Sequence, residues 1–192
     1  MAYIRAPKYP IAVNLMDPRK TSGTPTASHP YFALPVDGTR AQLLLTPCPG
    51  TVTGDLETSL TELANAGAKA LITLMTREEM ARNGARNIDL MCSRLGVQWF
   101  HLPIEDEGVP EEEFEASWDK VRTRVHQFLD CHESVVIHCK GGSGRTGVVA
   151  ARLLVERGLA TYDAMSQIKA LRPNAFVHPV QVNYVRRLAC LM

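Results

Sequence analysis

"VVIHCKGGSGRTGVVAARLL", residues 135–154, carries β-branched residues into a glycine-rich turn and then into a helix-like run. The pattern predicts a short apolar strand, Ser134–His138, of the kind buried on both faces, and a helix over Thr146–Glu156. Between them lies a turn that opens with Cys139 and closes with Arg145. A loop of this length can curl until its N–H groups converge on one point, and the helix behind it adds its own unpaired N–H groups and positive end. A free thiol is only a few per cent ionised at neutral pH, whereas the thiolate is the nucleophile. Converging N–H donors, a helix end and a guanidinium all favour the thiolate. The same cup suits a phosphate dianion, with Arg145 gripping two of its oxygens in a fork. Gly141, Gly142 and Gly144 are expected to take positive φ and let the backbone approach the ligand, with Lys140 and Ser143 completing the cup.

Two other glycine motifs fit this stretch less well. Gly142–Gly147 matches G-x-G-x-x-G, but the 45 residues after it read as helices, with no further strand or ribose-binding acid. Against the nucleotidase phosphate loop, Cys139 replaces the first glycine and Arg145 the lysine, both positions that chemistry uses.

Around the loop, strands and helices alternate. Strands are predicted at Gln42–Thr46, Leu71–Met75 and Val97–Leu102. Asp55 opens a helix whose Leu56, Leu60 and Leu63 share a face and which Gly67 ends. Thr76 and Glu79 have capping-box spacing for a helix towards Leu95 that Gly84 can interrupt. From Pro110, Phe114, Trp118, Val121, Val125 and Phe128 form one apolar stripe, with glutamates at the positive end of that helix. Helices at Thr161–Leu171 and about Val180–Leu191 complete the order. The expected fold class is α/β, a mainly parallel central sheet flanked by helices, with ligands at the carboxyl ends of the strands. Six of the 12 prolines fall within residues 7–35. Residues 1–40 therefore read as an irregular arm packed on a domain spanning 41–192, with short extended pieces at Ile11–Met16 and Tyr31–Leu34.

With 45% hydrophobic and 21% charged residues, the chain has the composition of an ordinary globular domain. A net charge of +1 gives no overall field to recruit nucleic acid or a membrane. Residues 1–20 hold no apolar core of a secretory signal, and no apolar run is long enough to span a bilayer. Five cysteines without a C-x-x-C pair or finger spacing point to a reducing, cytoplasmic setting and no structural metal or cofactor. The oligomeric state leaves no signature in the sequence.

His138-Cys139, five residues, then Arg145-Thr146 resembles the signature of the cysteine-dependent protein tyrosine and dual-specificity phosphatase superfamily. "PGTVTGDLETSLTELANAGAKALITLMTREEM" (49–80), "HLPIEDEGVP" (101–110) and "VQVNY" (180–184) are similar to stretches of its kinase-associated phosphatase branch. The resemblance implies a protein tyrosine phosphatase-like fold and hydrolysis of phosphotyrosine, and of phosphoserine or phosphothreonine, in phosphoprotein substrates. It implies that Cys139 forms a thiophosphate intermediate, Arg145 binds phosphate, Thr146 donates to the departing thiolate and His138 orients the loop. Asp106, four residues before Pro110, matches the position of the general acid, a choice that spacing alone leaves open among Glu105, Asp106 and Glu107. The Trp-Pro-Asp triplet of the tyrosine-specific members is absent, and of their paired glutamines only Gln181 stands, with Val177 at the other position. Lys140 also matches the phosphoinositide phosphatase loop, whose second lysine is Ser143 here. A phosphoinositide or other small phosphate ester is thus an alternative substrate, and a non-catalytic phosphate-binding module or a rhodanese-like sulfurtransferase an alternative function. Cys48 and Cys92 are candidates for an oxidative disulfide with Cys139, as relatives allow.

Overall fold

A computed structural model describes residues 28–191, with side chains through Leu188; the extended piece expected at 11–16 lies outside the described residues. Five strands form one sheet: β1 (Phe32–Pro35), β2 (Gln42–Thr46), β3 (Ala68–Thr73), β4 (Gln98–His101) and β5 (Ser134–His138). Their order is β1-β2-β5-β3-β4, antiparallel for β1 with β2 and parallel for every other pair. The apolar strand before the glycine loop is thus the centre of the sheet. All five of its residues are buried, as a strand covered on both faces requires.

The period of two along each strand divides the core. Leu43, Leu45, Ala70, Ile72, Val135 and Ile137 face one layer, and Leu44, Leu71 and Val136 the other. The first layer is closed by α4 (Glu112–Asp130), α5 (Gly144–Glu156), α6 (Thr161–Leu171) and α7 (Pro179–Leu191). The second is closed by α1 (Leu56–Asn65), α2 (Arg77–Arg82) and α3 (Ile88–Arg94). Asp55 caps α1 through a 2.7 Å bond from the Thr58 amide. The capping box of Thr76 and Glu79 is formed in both directions. Gly84, at φ +72°, divides the segment after it into α2 and α3 instead of one helix running to Leu95.

Tyr31–Leu34, expected as an extended piece of the arm, overlaps β1, an edge strand of the sheet. The sheet therefore begins before residue 41.

Three helices of the first layer are joined by a buried polar network. Arg152 on α5 donates to Glu156 at 2.8 Å, to Glu115 on α4 at 2.6 Å and to the Tyr184 hydroxyl on α7 at 2.8 Å. Trp118 donates to the same Glu156 oxygen as Arg152, its indole nitrogen 2.9 Å away. Glu156 is about nine-tenths buried. Its removal takes the partner from the Arg152 Nε–H, from the Trp118 indole N–H and from His126, while Arg152 keeps Glu115 and Tyr184. Glu156→Ala is expected to cost about 3–5 kcal/mol and to lower the melting temperature by roughly 10 °C, read by denaturant and thermal unfolding.

Candidate active site

The carboxyl end of β5 delivers Cys139, and Ser143 hands the loop to α5. What shapes the cup is where the carbonyls go. The Cys139 carbonyl lies 3.3 Å from His138 Nδ1, the Lys140 carbonyl accepts from the Cys48 amide at 3.1 Å, and the Gly141 carbonyl accepts from Arg172 at 2.6 Å. A trans peptide is planar, with its N–H opposite its C=O. Three carbonyls drawn outward therefore turn the amides of Lys140, Gly141 and Gly142 to the other side of the chain. The Gly142 N–H is found there, donating to Cys139 Sγ at 3.3 Å.

Of the three glycines expected at positive φ, only Gly142 has it, at +66°, which corrects the expectation for Gly141 and Gly144. A Cβ on Gly142 would also lie 2.3 Å from the carbonyl carbon of Thr46, inside the end of β2. Gly144 serves space instead, since a Cβ there would lie 3.1 Å from the Gln181 side chain. Gly141 has open space around it. Arg172 holds the loop at a second point, Ser143 Oγ, at 2.6 Å, and its guanidinium rests over the Phe32 ring.

Arg145 is buried, only 2% exposed. Its two terminal nitrogens donate to the two Glu79 oxygens at 2.7 and 2.8 Å. One nitrogen also donates to the Ile104 carbonyl at 2.9 Å, and the other contacts Asp106 Oδ1 at 2.8 Å. The side chain is thus fixed from α2, from the segment after β4 and from the loop that carries Asp106. Among the described residues its Nε–H carries no bond. Burial pushes Glu79 up, yet hydrogen bonds from Arg145 and the Thr76 amide hold it below the usual carboxylate value. Glu79 is one of the site residues that sequence reasoning missed. Its capping-box role is local and legible, while its partner lies 66 residues away.

Asp106 stands on a tight turn in which Gly108 donates to the Glu105 carbonyl at 2.9 Å, and its carboxylate is exposed. Gln181, fully buried at the start of α7, donates to the carbonyls of Glu107 and Gly108 at 3.3 and 3.2 Å. It ties the acid-bearing loop to the helix that packs on Gly144. Thr146 is buried directly behind Arg145; among the described residues its hydroxyl has no hydrogen-bond partner, Cys139 included. Lys140 points to solvent at the rim.

Beneath the loop, His138 is fully buried and its pKa falls to about 4, chiefly through burial, so the ring is neutral. Cys48, Cys92 and Cys139 are buried free thiols. Cys48 lies beside the loop through its amide bond to Lys140, whereas Cys92 packs in the second core layer. Burial pushes the Cys48 thiol up to about 12.

The family profile Tc-R-P, described as "Polymorphic toxin system, DSP-PTPase phosphatase", matches residues 49–159, more than half of the chain. The chain belongs to this phosphatase family. Human cyclin-dependent kinase inhibitor 3 is 28% identical to this DSP-PTPase chain over 127 residues, 65% of the chain and 58% of the human protein. The protein 197R of invertebrate iridescent virus 6 is 35% identical over 96 residues, 47% of the chain and 34% of its own length. The chain therefore spans between a third and three fifths of these curated relatives. A crystal structure of kinase associated phosphatase, with its catalytic-site cysteine substituted by serine, superposes with a TM-score of 0.77 at 23% identity, covering 87% of this chain and 97% of that one. The sheet and its flanking helices are accordingly those of the protein tyrosine phosphatase fold. No described helix is long and apolar enough to cross a membrane.

Proposed function

We propose that this chain is a cysteine-dependent phosphomonoesterase that hydrolyses phosphotyrosine, and phosphoserine or phosphothreonine, in proteins. The observation that carries the reading is a thiol set among inward-turned amides, with Glu79 fixing a buried guanidinium in the same loop. The Arg145 Nε–H and the terminal N–H now on Asp106 form the fork that takes two phosphate oxygens. Phosphate binding thereby displaces Asp106 from Arg145 and frees its carboxyl for the leaving group.

Sγ attacks phosphorus in line, the S–P bond forms, and the P–O bond to the leaving group breaks as Asp106 gives that oxygen its proton. Water then attacks phosphorus, Asp106 takes up its proton, and the S–P bond breaks to return the thiolate and release inorganic phosphate. Thr146, whose buried hydroxyl has no other partner among the described residues, donates to the returning thiolate. Gln181 holds the acid-bearing loop over this site through the carbonyls of Glu107 and Gly108. Lys140 and Ser143 border the bound phosphate.

Steady-state hydrolysis of phenyl phosphate in excess chelator tests this, with acid quench to trap phosphocysteine. Turnover and a Cys139-linked phosphate are expected; turnover that requires added metal, or no trapped phosphate, overturns the reading. Asp106→Asn is expected to lower kcat about 10²-fold for phenyl phosphate and much less for a nitrophenyl ester, whose leaving group needs little protonation. Equal losses on both esters would move the acid elsewhere. Phosphotyrosine, phosphoserine and phosphothreonine peptides, run beside phosphoinositide head groups, separate the substrate classes.

A further inference from the structure

Among the described residues three positions other than glycine take positive φ: Glu107 at +61°, His132 at +64° and Phe176 at +57°. Side chains resist that region, and a bulky residue there is an outlier that the surrounding structure has to enforce. His132 sits in the turn that leads into β5, at the end of the strand away from Cys139. The other two belong to segments that meet beside the site. Glu107 follows Asp106 and is third in the Glu105–Gly108 turn, a position where positive φ calls for glycine or asparagine. Phe176 is buried beside Gly147 in the first part of α5, and the chain bends there before His178 and the start of α7.

The segments meet at the first turn of α7. The His178 carbonyl accepts from the amides of Gln181 and Val182 at 3.0 and 3.3 Å, so the side chains of His178 and Gln181 leave a single helical turn. Gln181 holds the carbonyls of Glu107 and Gly108. His178 reaches the carboxylate of the same Glu107, with Nε2 3.9 Å from Oε1, an ion pair when the ring is protonated. Asp106, next in the turn, has its own carboxylate on Arg145 at 2.8 Å and on the Glu107 amide at 3.2 Å. Glycine at position 107 would relieve the backbone but could not answer His178. A charged partner for His178 is what the strained residue supplies.

We infer that His178 is a positioning residue for the hydrolysis: through the Glu107 carboxylate it holds the strained turn so that Asp106 stays over the phosphate once Arg145 has let it go. In the free protein Asp106 is held twice, by Arg145 and by its turn. Phosphate takes the Arg145 hold away, and the turn alone then aims the carboxyl at the leaving group. His178 acts through Glu107, so its contribution falls on the bound state and not on phosphate capture. The inference rests on Asp106 being the acid proposed above, and one arm of its test does not.

In mildly acidic buffer, His178→Ala is expected to lower kcat for phenyl phosphate by about three- to fivefold, the reach of one exposed charge pair. KM should stay near native, and the nitrophenyl ester should lose much less. Glu107→Gln should match His178→Ala, and the double variant should lose no more than either single one. Glu107→Gly separates strain from contact: its melting temperature should hold or rise, while kcat falls as in Glu107→Gln. In an Asp106→Asn background His178→Ala should change kcat little, because the group it aims is gone. The arm that needs no turnover is hydrogen exchange of the Gly108 amide, which donates inside the turn and should exchange faster in His178→Ala by a similar factor. Equal losses on both esters, additive losses in the double variant, or native exchange at Gly108 in His178→Ala overturns the inference. Faster Gly108 exchange in His178→Ala, with a native chain that shows no turnover, counts against the phosphatase reading alone.

Discussion

Cys139→Ser is expected to remove hydrolysis of phenyl phosphate almost entirely, on the order of 10⁵-fold in kcat, the scale reached when a covalent nucleophile is lost. The substituted oxygen lies in the same cup, but among the described residues no base is hydrogen-bonded at that position: His138 has its Nε2 on Thr73. Binding should respond differently. The outward carbonyl ties come from His138, Cys48 and Arg172, and none of them involves the sulfur. The amides therefore stay turned inward in the serine variant, and Arg145 stays on Glu79. With no thiolate to repel a dianion, inorganic phosphate should bind as tightly as to the native chain or more so, measured by calorimetry. Loss of phosphate binding along with turnover would mean that the sulfur, rather than these ties, shapes the cup.

The centre of the fold was legible because its signals are local. A β-branched run, a glycine turn and an apolar helix lie within about twenty consecutive residues, and β5, the loop and α5 follow in that order. β1 was half legible. Asp37-Gly38, with Gly38 at φ +76°, is a tight-turn signal joining β1 to β2, but the prolines around it read as an irregular arm. Gly84, read as a point where the helix towards Leu95 can be interrupted, does interrupt it, because a residue at positive φ is not helical. Gly144 shows why glycine patterns mislead, since its requirement is room for a side chain from 37 residues further on. The parts of the site that stayed hidden, Glu79 for Arg145, Arg172 for the loop carbonyl and Thr73 for His138, are all contacts between distant segments. Each of these residues is locally unremarkable, and only the packing of the sheet brings it to the loop.

Glu79 makes this concrete, because its two roles can be separated by experiment. Thr76→Ala removes half of the capping box and should cost about 1 kcal/mol with turnover nearly unchanged. Glu79→Gln also removes the charge that faces Arg145, and turns an amide N–H donor towards a guanidinium that is itself all donors. That buried clash is expected to cost about 3 kcal/mol and to lower kcat/KM for phenyl phosphate by at least about 10²-fold, as Arg145 leaves the geometry that grips two oxygens. The acid dependence of stability should change as well. Since the folded chain holds Glu79 below its ordinary value, its contribution is fully present above the usual glutamate range and is lost as pH falls through the depressed value. Urea midpoints measured from neutral pH downwards should therefore fall less steeply in Glu79→Gln than in Thr76→Ala, which keeps the ion pair. Parallel profiles, or turnover lost equally in both variants, would reduce Glu79 to a helix cap and leave Arg145 held by the carbonyl of Ile104 and the exposed Asp106.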